Sequence, residues 1–145
     1  MTGSGVMTWQ SWALLSAVFA ALTAIFAKIG VAGINSDMAT LLRTMIILGV
    51  LAVIVAATGQ WQPPSEIPAR TWVFLTLSGL ATGASWVCYF RALKIGDAAR
   101  VAPVDKLSIV LVAVFGVLLL GERLSATNWL GVGLCTAGIV LVAMK

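Results

Sequence analysis

The chain has few charges, no histidine and few residues that carry chemistry. Of its 145 residues 10% are charged, and it contains two cysteines and one tyrosine. The absence of histidine removes the commonest metal ligand and the side chain most easily switched near neutral pH. The sequence also has no Gly-rich phosphate loop, nucleophile elbow or zinc-ligand spacing. We therefore expect no enzyme active site, no metal site and no cofactor.

Cysteine chemistry and secretion are also weakly supported. Cys88 and Cys135 fall inside predicted helices, so we expect buried small side chains rather than a disulfide or a metal site. The segment "MTGSGVMTWQ" lacks a basic region, and no small-residue cleavage site follows a short apolar core. We therefore expect no secretory signal peptide.

Apolar residues dominate the chain. They make up 61% of it, and the mean hydropathy is +1.06. A soluble domain of this size cannot bury so much apolar surface, so the lipid bilayer is the expected solvent. About 20 apolar residues in a helix cross a hydrocarbon core about 30 Å thick. The sequence predicts an all-α integral membrane protein, a single module with helices at about 12–31, 39–58, 71–93, 101–120 and 128–144.

The basic residues are distributed unevenly between the two ends of these helices. Arg70 and Arg123 fall at one end, and seven fall at the other: Lys28, Arg43, Arg91, Lys94, Arg100, Lys106 and Lys145. Short loops keep Lys and Arg in the cytoplasm, which predicts an inner (plasma) membrane protein with its N-terminus outside and its C-terminus cytoplasmic. The net charge of +4 is thus explained by topology, and no nucleic-acid partner is expected.

Tryptophans support the same orientation. Because amphipathic rings favour the membrane interface, five of the six are predicted to mark the outer one: Trp9, Trp12, Trp61, Trp72 and Trp129. Trp86 is predicted to lie deep in the third helix. Together with Tyr89, three residues later, it is interpreted either as an aromatic wall near the cytoplasmic mouth or as packing between helices.

Several helices have one face of small residues. In the first helix, alanine, serine and threonine residues from Ala13 to Ala27 share one arc, and bulky residues fill the other. Small residues either let helices approach closely or line a cavity. Lys28, at the edge of the small arc, favours the cavity. Two further sets are candidate packing or dimer positions: Gly79 and Gly83 of the third helix, and Gly131, Cys135 and Gly138 of the fifth.

The adjacent charges Asp105 and Lys106 are unusual near the start of an apolar helix. Their side chains point about 100° apart on a regular helix, so each is expected to seek a partner on another helix. One interpretation is a salt-bridge network with Lys28, Arg43 or Arg91. The other is that Asp105, in line with Ser108, faces an aqueous vestibule and binds a cation or a proton. At the far end of the helix, Glu122 is interpreted as a loop-facing acid balanced by Arg123.

Three stretches resemble the EamA-type module of the drug/metabolite transporter superfamily. They are "AIFAKIGVAGINSDMATLLRT", "GASWVCYFRALKIGDAARVAPVDKLS" and "LLLGERLSATNWLGVGLCTAGIVLVA", and the resemblance spans nearly the whole chain. Typical members carry two such modules in a ten-helix inverted repeat. This chain holds one and is most similar to the short single-module group. The acid–base pair after Pro103 departs from the general family pattern, in which small or apolar residues follow the proline.

The resemblance implies a substrate cavity between two modules, lined chiefly by helices one, three and four, with alternating access. Family members move amino acids, sugars, nucleotide-linked metabolites and drugs, so no substrate is implied. The candidate substrate- or ion-binding residues are Lys28, Arg43, Trp86, Tyr89, Asp105, Lys106 and Ser108.

A single module is expected to pair with a second one. The open arrangements are an antiparallel homodimer, a heterodimer with an oppositely oriented module, and a parallel homodimer. The leading hypothesis is a secondary transporter or exporter of small organic solutes. The alternative is a non-transporting membrane protein, either a structural or a lipid-handling subunit.

Overall fold

The regular elements of the chain are helical throughout the part that the structure describes. A computed structural model describes residues 8–144; Lys145, counted in the charge distribution, lies outside them. The helices are α1 (Trp9–Val31), α2 (Ser36–Thr58), α3 (Ala69–Ile95), α4 (Ala98–Asp105), α5 (Ser108–Leu120) and α6 (Ala126–Ala143), with a 3₁₀ turn at Pro64–Glu66. The all-α class predicted from the sequence is confirmed.

Five helical segments are long and apolar enough to cross a membrane. Four are α1, α2, α3 and α6, and α4 and α5 together form the fifth, Ala98–Leu120. Large apolar side chains on these segments stay exposed in the isolated chain, among them Leu14, Leu48, Leu80, Leu119 and Leu141. Because an exposed apolar surface of this extent is unfavourable in water, these faces are suited to lipid.

Local sequence signals explain several helix ends. The Asn35 side chain accepts hydrogen bonds from the backbone N–H groups of Asp37 and Met38 and so caps α2. Ser125 caps α6 in the same way through Asn128. Gly121 ends α5 with φ of 69°, a left-handed conformation that costs glycine little because it has no Cβ.

The chain forms two compact units. One is Lys28–Ile95, here called the central unit, and the other combines Met1–Ala27 with Gly96–Lys145, here called the terminal unit. In the central unit, α2 packs against α3. Its buried apolar residues are Val31, Ala39, Phe90 and Leu93, which lie where α1 ends, α2 begins and α3 ends. The core of this unit is therefore concentrated at one end of the helix pair.

In the terminal unit, α4 and α5 both pack against α6. The segment predicted as one helix over 101–120 is broken at Lys106 and Leu107, between α4 and α5. There the N–H groups of Lys106 and Leu107 donate to the carbonyls three residues earlier, at 2.9 and 3.0 Å. This tighter 3₁₀-like spacing follows Pro103, which has no N–H to donate and disturbs the preceding turn.

Candidate functional site

The start of α2 is held to the end of α3 by a bidentate ion pair. Arg91 Nε donates to Asp37 Oδ1 at 2.9 Å, and Arg91 Nη2 donates to Asp37 Oδ2 at 2.7 Å. Two parallel charged hydrogen bonds make the geometry specific as well as favourable. Asp37 was not singled out in the sequence, although a carboxylate in the first turn of α2 also complements the helix dipole.

Two lysines bind backbone carbonyls at the same end of the central unit. Lys28 Nζ donates to the Leu93 carbonyl at 2.7 Å, and Lys94 Nζ donates to the Ile34 carbonyl. The last carbonyls of a helix have no intrahelical partner, so Lys28 supplies a donor near the end of α3. The role of Lys28 seen here is a tie between the end of α1 and α3, and whether it also lines a cavity stays a prediction.

Arg43 lies over two aromatic rings of α3. Its guanidinium carbon is 4.4 Å from the Trp86 ring centroid and 5.5 Å from that of Phe90. Tyr89 meets Phe90 edge to face, with ring centroids 6.4 Å apart. Stacking on an aromatic face stabilises a guanidinium and leaves its N–H groups, which lie in the plane of the guanidinium, able to donate outward. Two sequence candidates, Arg43 and Trp86, thus form one contact, and Phe90 is a partner that the sequence did not reveal.

In the terminal unit, Asp105 and Lys106 bind each other. Lys106 Nζ donates to Asp105 Oδ2 at 3.0 Å. The expectation that the two side chains seek partners on other helices is therefore wrong. Their ion pair lies where α4 ends at Asp105 and the chain turns at Lys106. Arg91, one of the predicted network partners, pairs instead with Asp37.

The turn between α4 and α5 adjoins an apolar groove on α6. The groove has a volume of about 390 Å³ and is lined by Pro103, Lys106, Ile109, Cys135, Gly138, Ile139 and Val142. Two of the predicted small-residue positions, Cys135 and Gly138, belong to its lining. Ser108 begins α5 directly after the turn. The structure thus brings Lys106, Cys135 and Gly138 to one groove within this unit.

The glycines among the packing candidates have open space where a side chain would be in the described chain. A Cβ atom at Gly79, Gly83, Gly131 or Gly138 would meet nothing within 4 Å. Their role toward a second module therefore stays a prediction. Cys88 and Cys135 are free and exposed, so the expectation that they are buried small side chains is wrong.

The carboxylate of Glu122 lies against the backbone of α5. A Cβ at Gly116 would be 2.5 Å from Glu122 Oε2, and the Glu122 N–H donates to the Gly116 carbonyl at 3.0 Å. Among residues 8–144 Glu122 forms no ion pair with Arg123, contrary to the interpretation that they balance each other. Because Gly116 has no Cβ, the carboxylate of Glu122 has room to lie against α5.

These groups are suited to binding and to electrostatics rather than to bond chemistry. Within the described part of the chain, no group of three or more His, Cys, Asp or Glu residues is placed to hold a metal ion. Two sets of charged side chains are candidates for binding: a predominantly basic one at one end of the central unit and a paired acid and base at the broken helix of the terminal unit. Five apolar spans with charged groups at their ends and breaks define a multi-pass membrane protein with features of a transporter.

The chain belongs to the EamA-like transporter family, whose model matches residues 7–144. It is similar to an uncharacterized transporter in cobO 3'region from a Sinorhizobium species, with 74% identity over 137 residues that cover 94% of this chain and 97% of the relative. No solved structure gives a significant match to the chain. The resemblance stated from the sequence is confirmed, and membership of a transporter family favours a transporter over an enzyme.

Proposed function

We propose that the protein is a secondary transporter that exports small organic solutes across the inner membrane by alternating access. The observation that carries this proposal is the interrupted span of a transporter-family chain. Ala98–Leu120 is long enough to cross the membrane, yet it is broken at Lys106 and Leu107 beside an acid–base pair. In many transporters, discontinuous helices form the sites for substrate and coupling ion.

Asp105 is the coupling group in this proposal. Its only salt bridge among residues 8–144 is to Lys106, and about a third of its side chain is exposed. Protonation of Asp105 would remove the attraction between the two side chains at the turn. A proton or cation bound by Asp105 would thus change the net charge at the break between α4 and α5. In this proposal, that change in charge moves the α4–α5 turn.

Transport is tested with purified protein in liposomes that enclose a defined mixture of amino acids, sugars, nucleotides and cationic dyes. We expect at least one class to cross faster than in protein-free liposomes when a pH gradient is imposed, as measured by mass spectrometry. Asp105→Asn should lose most of the gradient-driven flux. Asp97→Asn, at the start of α4 where the side chain makes no capping hydrogen bond, should keep it.

Solute-independent leakage alone would instead support the second candidate, a structural or lipid-handling subunit. Flux that Asp105→Asn leaves unchanged would exclude this carboxylate as the coupling group while leaving transport in place. The apolar groove beside Lys106 favours the lipid-handling candidate, since an acyl chain would fit an apolar lining with a basic group at its edge.

The transporter is proposed to work as a pair of five-helix modules. A single module has an odd number of spans, so an inverted partner would complete the ten-helix inverted repeat. The partner is a second copy of this chain or another five-helix module. The small residues of α6 and the pair Gly79 and Gly83 are the proposed packing positions.

Reporter fusions after Lys145 test both the orientation and the pairing. Because seven of the nine basic residues fall at one predicted side, we expect a cytoplasm-dependent fluorescent reporter to work and a periplasm-dependent phosphatase to stay inactive. That result would leave a heterodimer or a parallel homodimer. Activity of both reporters would contradict the single orientation and support an antiparallel homodimer.

A further inference from the structure

Arg43 is a charge that the rest of the central unit does not neutralise. The unit contains two carboxylates, Asp37 and Glu66. Asp37 is engaged by both hydrogen bonds from Arg91. Glu66 lies in the 3₁₀ turn that connects the opposite ends of α2 and α3. No carboxylate of residues 8–144 forms a salt bridge with Arg43.

The donors of Arg43 are uncommitted. No described residue accepts a hydrogen bond from its guanidinium, which lies over the rings of Trp86 and Phe90 and within electrostatic range of the Tyr89 hydroxyl. Phe90 is 2% exposed, so one side of the guanidinium is held against the protein. A guanidinium fixed in this way presents a planar fork of N–H groups, which matches the two oxygens of a carboxylate or a phosphate.

The surrounding charge also favours an anion. Within the central unit, four basic side chains lie around the start of α2 and the end of α3, namely Lys28, Arg43, Arg91 and Lys94, and the acid among them is Asp37. The local net charge is therefore +3. Lys94 donates to a carbonyl oxygen, which is a dipole and does not cancel a full charge. Such a cluster attracts anions and raises their local concentration.

The position of Arg43 makes its solvation unfavourable without such a ligand. It is the eighth residue of α2, so it lies about 10 Å along the helix axis at about 1.5 Å per residue. Arginine inside a span is costly to insert, and such residues usually mark pathways for solutes or ions. Stacking on Trp86 offsets part of that cost.

We infer that Arg43, held on Trp86, binds an oxyanion, the carboxylate or phosphate group of a small transported solute. This inference rests on the proposed transport function and gives it a substrate class, organic anions. A lipid phosphate would present the same chemistry to the same guanidinium, so the experiment must separate the two sources.

The test is equilibrium dialysis of detergent-purified protein against radiolabelled benzoate, inorganic phosphate and tetraethylammonium, at constant ionic strength set with chloride. We expect saturable binding of at least one of the two anions and none of tetraethylammonium. Arg43→Gln should weaken anion binding by about tenfold or more, since a hydrogen bond to a charged group contributes that much. Arg43→Lys keeps the charge but not the fork and should bind with intermediate affinity.

Arg70→Gln is the matched control. Arg70 also lies over an aromatic ring, that of Phe74 at 5.8 Å, but at the first turn of α3 and away from the basic cluster. Its variant should bind the anions as the unaltered protein does. Equal binding by the unaltered protein and Arg43→Gln would overturn the inference, and so would the absence of saturable binding of both anions to folded, monodisperse protein.

A lipid arm uses nanodiscs of phosphatidylcholine with and without phosphatidylglycerol. If phosphatidylglycerol is retained by the unaltered protein but not by Arg43→Gln, and neither benzoate nor phosphate binds, the site is a headgroup site and the solute assignment is wrong. The flux measurement separates the two proposals. Transport of cations alone would overturn the anion inference and keep the transporter, whereas Arg43-dependent anion binding without any flux would keep the site and overturn the transporter.

Discussion

Replacing Leu93 with alanine is expected to destabilise the protein by about 2–5 kcal/mol, the range for large-to-small changes in a packed core. Leu93 is fully buried at 0% exposure, next to Phe90 and the end of α1. In a bilayer, apolar side chains are already out of water, so burying one between helices brings no hydrophobic gain. Close packing between helices therefore carries much of the stability. A cavity at Leu93 therefore removes contacts that lipid cannot replace.

The comparison is made with Leu80→Ala on the same helix. Leu80 is 67% exposed in the isolated chain and faces the expected lipid, so its loss should cost about 0.5 kcal/mol or less, as for other surface changes. Reversible unfolding of both variants in mixed micelles gives the two free energies of unfolding. Equal losses would show that the end of α3 is not the packed core of this unit.

The fold class was predictable because it depends on the length and composition of apolar runs. Five such runs are close to the length that crosses a bilayer, and they correspond to five helical spans. The break in the fourth was signalled only weakly, by Pro103 and the adjacent charges. Proline occurs inside many membrane helices without ending them, so these signals did not suffice to place α4 and α5 as separate helices.

The candidate site was predicted as a set of residues but not as contacts. Arg43 and Trp86 were both selected, yet their stacking depends on how α2 is rotated against α3. Helical periodicity gives the faces of each helix separately and not the register between two helices. The same limit explains why the bond of Lys28 to the Leu93 carbonyl was not predicted, since it joins residues 65 positions apart.

The break in the fourth span also changes how the acid–base pair is interpreted. From the sequence, Asp105 and Lys106 were treated as part of a continuous helix, with salt bridges to other helices offsetting the cost of placing two charges in the membrane. At the end of α4 they bind each other, so the pair is locally neutral and separable by one protonation. The pair has no net charge while Asp105 is ionised and would carry one positive charge with a proton on Asp105, which is the change that the flux experiment tests.

Reversing the charges of the α2–α3 ion pair is expected to produce the second large effect. Asp37→Arg places two guanidinium groups together, and Arg91→Asp places two carboxylates together, so each single variant replaces a bidentate attraction by repulsion. Both should unfold at clearly lower temperature than the unaltered protein in a detergent melt. The double variant restores an acid opposite a base and should regain most of the loss.

This recovery separates pairing from a general effect of charge at the membrane interface. Arg91→Asp removes a basic residue from the predicted cytoplasmic side and Asp37→Arg adds one, so the double variant also keeps the original charge bias. If the double variant melts no higher than the worse single variant, the ion pair does not hold α2 to α3. Recovery would show that the packing of α2 against α3, the two helices that carry Arg43 and Trp86, depends on a contact between residues 54 positions apart.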